Sequence, residues 1–216
     1  MSSDVILNYY ESLLHRDDLD TLKEGCFVND NIITFQLEYL RHTKLCHSSN
    51  ILLMDPAASQ LLKLMDEESI RLVLDPLEFK SKDWIFLVIN DSASRVSSGG
   101  CHWSLLVYSP LLMHGFYLDS LNSSPNFSEA FTLCNKLCTY LGVSFVDIKL
   151  PNVVKQNNGY DCGIFCMVFI ETICDMILKG DMSWQMSLST DMVSHQVMHK
   201  RKSLLECIYG LSTTNA

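Results

Sequence analysis

Within the stretch Gln156-Asn-Asn-Gly-Tyr-Asp-Cys-Gly163, a polar loop passes into a segment that is apolar nearly all round. The apolar character continues to Leu178, and the next glycine is Gly180. A segment of this length and pattern predicts a helix over residues 162–178 that is buried on most of its sides. Cys162 would then lie at a helix N-terminus, where free backbone N–H groups and the helix dipole favour a thiolate over a thiol.

The other eight cysteines carry no such signature. The total of nine is odd, and the N-terminus shows no basic flank before a long apolar core, so we expect no secretory signal and reduced thiols. Cys134 and Cys138 are spaced four residues apart in an amphipathic pattern, which favours small buried side chains. No Cys-x2-Cys pair occurs, and His195 and His199 have no acidic residue between them, so we expect no metal site.

Upstream of the apolar helix, short runs rich in β-branched and aromatic residues predict a small sheet, with strands at residues 84–89, 102–108, 115–118 and 143–150. Caps at Asn29 and Asp55, together with helical spacing of apolar residues, predict several helices. These predicted helices cover residues 32–40, 56–64, 128–141 and 192–211. The fold class is therefore α+β, with a small, mostly antiparallel sheet flanked by helices in one domain, 1–216.

The composition excludes several classes of protein. Of the 216 residues, 48% are hydrophobic and 19% charged, which is not the composition of a disordered tail. The longest apolar run, residues 164–170, is too short to cross a bilayer. A net charge of −9, from 16 Lys and Arg against 25 Asp and Glu, argues against nucleic-acid binding and is compatible with a basic protein partner.

A thiolate nucleophile needs a base and a group that orients the base. His102 opens one predicted strand and Asp119 ends the next, so a hairpin would bring the carboxylate to the imidazole. Gln156 lies in a loop that could fold back and donate to an oxyanion beside Cys162. On these patterns alone, a structural histidine and a helix-capping core cysteine are about equally good interpretations, because nine cysteines and seven histidines can supply a triplet by accident.

Four blocks of the sequence occur in an informative order. They are Gly100-Cys-His-Trp-Ser-Leu-Leu-Val-Tyr108, Tyr117-Leu-Asp-Ser120, Gln156 and Asp161-Cys-Gly163. In this order they resemble the signature of the ubiquitin-like-protein-specific cysteine peptidases (sentrin-specific protease type), and the resemblance covers nearly the whole chain. Length and the detail of the first block are most similar to the compact deneddylase branch. The resemblance implies a papain-like fold with the catalytic cysteine at a helix N-terminus.

The resemblance also implies a role for each matched residue. Cys162 would be the nucleophile, His102 the general base and then acid, and Asp119 the residue that orients the base. Gln156 and the backbone N–H of Cys162 would form the oxyanion hole. Trp103 would form one wall of a narrow tunnel that admits only a Gly-Gly tail, because a Cβ would clash with its walls.

The opposite wall of that tunnel would be Phe27, at a position where the family usually has a tryptophan. A phenylalanine offers less contact area and no indole N–H, which bears on the affinity for the tail and not on catalysis. The resemblance further implies that several residues face the modifier, namely Asp30, Asn90, Asp91, Gly99 and Gly100.

We therefore expect a thiol-dependent isopeptidase that cleaves after the C-terminal Gly-Gly of a ubiquitin-like modifier, with the neddylation modifier as first candidate. Its expected partners are the modifier, as precursor or conjugate, with no cofactor, metal, nucleic acid or membrane. We expect a monomer in the cytoplasm, the nucleus or both. A desumoylating peptidase and a catalytically silent modifier-binding module stay open as alternatives. An acyltransferase is disfavoured, because the length leaves little room for a cofactor-binding extension.

Overall fold

The computed structural model describes residues 4–92, 100–121, 125–143 and 147–214. Its strands are β1 (Val5–Tyr9), β2 (Ser12–His15), β3 (Ile51–Met54), β4 (Trp84–Asn90), β5 (Trp103–Ser109), β6 (His114–Leu118), β7 (Asp147–Lys149), β8 (Asn152–Val153) and β9 (Ser187–Leu188). Its α-helices are α1 (Arg16–Asp20), α2 (Asp30–His42), α3 (Pro56–Leu64), α4 (Arg71–Leu74), α5 (Asn126–Leu141), α6 (Cys162–Leu178) and α7 (Asp191–Thr214). The α+β class is confirmed.

The central sheet has the strand order β3-β4-β5-β6-β7. Its three inner strands pair antiparallel, as expected from the sequence. Both edge strands pair in parallel, β3 with β4 and β7 with β6, so the expectation of a mostly antiparallel sheet holds only for the centre. Parallel neighbours need a crossover connection, and here α3 with α4, and then α5, supply the two crossovers.

Alternate residues of the inner strands face two different helical layers. On β5, Leu105 and Val107 belong to the core that contains α2 and α6. Leu106 and Tyr108 point to the opposite face and pack in the core that contains α3 and α5. The sheet is therefore covered on both faces, and its central strands are buried along nearly their whole length.

Helix α6 is buried as predicted, since every residue from Cys162 to Ile170 is buried. It packs against β5 on one side and against α2 and α7 on others. The predicted cap of α2 is also confirmed, because the Asn29 Oδ1 accepts a hydrogen bond of 3.1 Å from the Ile32 N–H. These contacts fix the start of α6 against the end of the sheet that carries residue 103.

Some elements differ from the prediction. β1 and β2 form an antiparallel hairpin where no strand was predicted, with Tyr10 at the turn in the left-handed region (φ 49°). The predicted strand 143–150 is shorter in the structure, as β7, and residues 144–146 lie outside the described residues. Residues 93–99, between β4 and β5, also lie outside them. Across the described ranges, no helix is both long and apolar enough to span a bilayer.

Candidate active site

The antiparallel pairing of β5 with β6 brings His102 and Asp119 together. His102 directly precedes β5 and Asp119 directly follows β6, so the hairpin places them side by side at the same end of the two strands. The His102 Nε2 lies 2.8 Å from the Asp119 Oδ1. Both side chains are almost fully enclosed, with residues 5% and 7% exposed. The hairpin predicted from the sequence therefore forms, with the expected contact between carboxylate and imidazole.

Hydrogen bonds hold both oxygens of the Asp119 carboxylate. The Tyr117 hydroxyl donates to Oδ2 at 2.7 Å, and the Leu121 N–H donates to Oδ1 at 2.8 Å. Burial raises the pKa of Asp119, but the bonds from His102, Tyr117 and Leu121 outweigh it, so the pKa lies below its ordinary value. Asp119 is therefore an ionised carboxylate with a fixed orientation. Tyr117 is a neighbour that sequence reasoning did not single out.

The imidazole of His102 also meets the side chain of Cys162. Burial lowers the pKa of His102, but hydrogen bonds to Asp119 and to Cys162 outweigh it and raise the pKa to about 9. A histidine that stays protonated at neutral pH stabilises a thiolate beside it and can give its proton to a leaving group.

The backbone of His102 is held on both sides by side chains of neighbouring elements. The Asp91 Oδ1 accepts from the His102 N–H at 3.1 Å and from the Cys101 N–H at 2.7 Å. The Asn126 Nδ2 donates to the His102 carbonyl at 3.2 Å, and the Asn90 Nδ2 reaches the same oxygen at 3.4 Å. Asn90 and Asp91 are therefore occupied in positioning His102, whereas their contact with a modifier stays a prediction.

Gly100 has a structural reason to be glycine. Its backbone lies in the left-handed region, with φ +90°, and a Cβ there would approach the Asn90 Oδ1 to 2.0 Å and the Asp91 Oδ1 to 2.6 Å. Only a residue without a side chain lets the chain pass this close to Asn90 and Asp91. Gly99 lies outside the described residues, so its predicted role stays a prediction.

Gln156 lies in the loop that leads to Cys162, with its side-chain amide held at both ends. The Ser120 hydroxyl donates to Oε1 at 2.5 Å, and Nε2 donates to the Asn158 carbonyl at 2.7 Å. The Gln156 N–H also binds the Ser120 carbonyl at 2.9 Å, which ties this loop to the chain just after Asp119. An amide nitrogen carries two hydrogens, so one can donate to Asn158 while the other remains for an oxyanion.

Trp103 and Phe27 lie on a rim close to the start of α6. The Trp103 Nε1 donates to the Val28 carbonyl at 3.0 Å, which fixes the indole to the chain next to Phe27. A Cβ on Gly163 would meet the Trp103 Cδ1 at 3.2 Å and the Val28 Cβ at 3.3 Å. Phe27 is 50% exposed, an unusual degree of exposure for a large aromatic residue. Asp30 is also exposed, at the first turn of α2.

The structure thus brings together Cys162, His102 and Asp119, with Gln156 in the adjoining loop. Across the described residues, no group of three or more His, Cys, Asp and Glu side chains could hold a metal ion. His195 and His199 stack on each other on the exposed surface of α7, with ring centroids 4.3 Å apart. The chemistry available at this site is nucleophilic attack by sulfur assisted by an acid–base histidine.

Comparisons with known proteins identify relatives of this chain. Human sentrin-specific protease 8 is 33% identical over 183 residues, which cover 81% of this chain and 84% of that protein. NEDD8-specific protease 1 of Arabidopsis thaliana is 30% identical over 219 residues, which cover 96% of this chain and 94% of that protein.

Solved structures show the same fold. The C-terminal Ulp1 protease domain, solved in complex with Smt3, the yeast orthologue of SUMO, has a TM-score of 0.72 and 19% identity, and the match covers 98% of this chain and 90% of that one. The Ulp1 protease family, C-terminal catalytic domain, matches residues 26–200. The resemblance in the four sequence blocks is therefore confirmed, and the chain belongs to the Ulp1 protease family of cysteine peptidases.

Proposed function

We propose that the protein is a deneddylase, a thiol isopeptidase that cleaves after the C-terminal Gly-Gly of the neddylation modifier. The observation that carries the chemistry is His102, whose Nε2 contacts the Asp119 carboxylate and whose imidazole also interacts with the Cys162 side chain. The choice of modifier is supported by relatives named sentrin-specific protease 8 and NEDD8-specific protease, at 30–33% identity over most of both chains.

In this proposal the Cys162 thiolate attacks the carbonyl carbon of the modifier's terminal glycine. The tetrahedral oxyanion accepts hydrogen bonds from the Cys162 backbone N–H and from the free N–H of the Gln156 amide. His102 then gives its proton to the leaving nitrogen, a lysine amine of a conjugate or the amine of a precursor tail. A water molecule loses its proton to His102 and attacks the thioester, which releases the modifier carboxylate and restores the Cys162 thiolate.

The rim explains why a diglycine tail would be favoured. Trp103, Val28 and Gly163 pack so closely that even one added Cβ on Gly163 would come within 3.2 Å of the indole. A substrate chain that passes between this surface and the half-exposed Phe27 gains apolar contact along its backbone. A tail without Cβ atoms lets the substrate backbone approach this surface most closely, in keeping with the Gly-Gly tail that the sequence resemblance implies.

The test uses ubiquitin-like modifiers that end in a propargylamide or vinyl group at the C-terminus. We expect the neddylation modifier to form a covalent adduct on Cys162, about 100-fold faster than ubiquitin or the small ubiquitin-related modifier. Intact mass and peptide mapping locate the adduct, and the Cys162→Ala variant serves as the control that forms none. Reaction with the small ubiquitin-related modifier alone would identify a desumoylating peptidase instead, and binding without any adduct would identify a silent binding module.

A further inference from the structure

Arg201 on α7 directs its guanidinium donors to two separate parts of the chain. Nε and Nη2 donate to the Asp161 Oδ1, at 3.1 and 2.7 Å. Nη1 donates to the carbonyls of Thr21 and Lys23, each at 3.0 Å, and Nη2 donates to the Cys26 carbonyl at 2.8 Å. Its side chain is only 15% exposed. A basic residue on a distant helix is thus bound to the residue before Cys162 and to the segment before Phe27.

On one side, Arg201 holds the nucleophile loop, defined as residues 156–161. Asp161 occupies the cap position of α6, yet its side chain makes no capping bond to the helix. Its Oδ1 instead binds Arg201, while its Oδ2 accepts from the Asn158 Nδ2 at 2.7 Å. The carbonyl of Asn158 accepts the bond from Gln156. The position of the candidate oxyanion donor therefore depends on a chain of contacts that ends at Arg201.

On the other side, Arg201 holds the rim segment, defined as residues 26–28. The bond to the Cys26 carbonyl fixes the residue that precedes Phe27. The bond from Trp103 to the Val28 carbonyl fixes the residue that follows it. Phe27 is thus exposed between two anchored neighbours, and one of these anchors is Arg201.

We propose that Arg201 is a positioning residue that holds the rim segment and the nucleophile loop at a fixed separation, and so sets the width of the channel above Cys162. This inference rests on the proposed function, because the channel matters only if a tail enters it. A planar guanidinium can serve a carboxylate and three carbonyls at once, whereas a lysine ammonium cannot span them. Loss of Arg201 would also leave the Asp161 carboxylate without its cationic partner next to Cys162, and this uncompensated negative charge disfavours a thiolate there.

The experiment compares Arg201→Lys and Arg201→Met with Lys202→Met. Lys202 is the adjacent residue of α7, and within the described part of the chain its exposed side chain is paired with Glu206, so this control removes the same charge without touching either segment. For each variant, kcat and KM are measured on a modifier–amide substrate at a temperature well below melting. Concentrations are corrected by active-site titration, so that only folded enzyme is counted.

We expect Arg201→Lys to lower kcat/KM at least about tenfold, because it keeps the charge but loses the geometry, and Lys202→Met to stay within about twofold of wild type. Alkylation of Cys162 by iodoacetamide separates the two contributions. It should slow about fivefold in Arg201→Met and recover in Arg201→Met/Asp161→Asn, which has no unpaired carboxylate, while kcat/KM of the double variant stays low.

A lower melting temperature with kcat/KM unchanged per titrated site in both Arg201 variants would reduce Arg201 to a structural residue and overturn the proposal. Equal alkylation rates in Arg201→Met and Lys202→Met would overturn it as well. Alkylation needs no modifier, so this arm still tests Arg201 if the wild-type protein fails to react with the neddylation modifier, an outcome that would contradict the proposed function alone.

Discussion

Helices α5 and α6 cover opposite faces of the same sheet, and both carry cysteines, but the two helices place them in opposite chemical surroundings. Cys134 on α5 and Cys162 on α6 are equally enclosed, each 1% exposed. Exposure therefore does not distinguish them. The difference lies in their position along the helix and in the side chains they contact.

Cys134 lies in the middle of α5, in the core formed by apolar residues of the sheet. Burial raises its pKa to about 12, and the neighbouring thiol of Cys138 adds to the effect. Cys166, one turn beyond Cys162 on α6, is also fully enclosed, and burial raises its pKa far above the ordinary value. Cys162 instead begins its helix and contacts a protonated His102. The reactivity expected of Cys162 therefore comes from its charged partner, His102, and from its place at the helix terminus. Cys166, only one turn further along α6, has neither.

The largest expected effect comes from replacing the two kinds of cysteine in turn. Cys162→Ala should lower kcat/KM on a modifier–amide substrate by more than about 10⁴-fold, because the sulfur forms the bond to substrate. Cys134→Ala should leave kcat/KM within about twofold and cost about 1 kcal/mol of stability, from lost packing alone. Steady-state kinetics and thermal melts measure both. Similar losses of activity in the two variants would remove the distinction between the helices.

Removing the charge that supports His102 should make Cys162 resemble Cys134. Asp119→Asn should lower kcat by about 10²–10⁴-fold, because the imidazolium loses the carboxylate that stabilises and orients it. Alkylation of Cys162 at neutral pH should slow in the same variant. Tyr117→Phe removes one hydrogen bond to the same carboxylate and serves as a graded control, with an expected loss of about three- to tenfold. A kcat of Asp119→Asn within tenfold of wild type would contradict the assigned role.

Raising the pH should affect turnover and alkylation of Cys162 differently, because turnover needs the proton of His102 and alkylation does not. Because the pKa of His102 is about 9 in the folded state, turnover should fall about tenfold per unit above pH 9, as the proton for the leaving nitrogen is lost. Alkylation of Cys162 should not fall with it. Turnover that stays constant up to pH 10 would contradict His102 as the acid.

The raised pKa of His102 also makes the free energy of unfolding depend on pH. Between the unfolded pKa near 6.5 and the folded value, the native state holds a proton that the unfolded state has lost. The contribution of His102 is therefore complete below pH 6.5 and is lost as the pH rises through about 9. Urea titrations across this range should show that the stability difference between wild type and His102→Gln shrinks as pH rises.

The smallest expected effect concerns access to Cys162. Phe27→Ala should raise KM about tenfold with kcat within about threefold, because the rim loses apolar contact with the tail. Phe27→Trp should lower KM, since an indole covers more of the tail. Iodoacetamide should alkylate Cys162 at the wild-type rate in both variants. A large change in that rate would show that access, and not the charge partner, sets Cys162 apart from Cys134.

Local patterns in the sequence predict the parts of this molecule that local forces determine. The cap at Asn29, the buried helix that begins at Cys162 and the hairpin that joins His102 to Asp119 each follow from residues close together in the chain. The catalytic roles of these residues stay predictions that the variants above test.

The features that the sequence did not predict depend on contacts between residues far apart in the chain, and the periodicity of apolar residues does not reveal such contacts. The parallel edge strands β3 and β7 are short, and their direction is set by crossovers. Asn126 reaches His102 from another helix, and Arg201 reaches Asp161 across 40 positions. Arg201 is the middle residue of the basic cluster 200–202, and nothing in the sequence distinguishes it from its two neighbours as the residue that donates to buried oxygens.

The contact of Arg201 with Thr21 and Cys26 has a consequence for the order in which the protein can assemble. Thr21 precedes Arg201 by 180 positions and Cys26 precedes it by 175, so the rim segment is synthesised long before the residue that secures it. Contacts of such separation slow folding, because a long loop must close before they form. In the role proposed for Arg201, the channel above Cys162 is complete only after α7 has left the ribosome, so the proposed activity would not precede the synthesis of this helix.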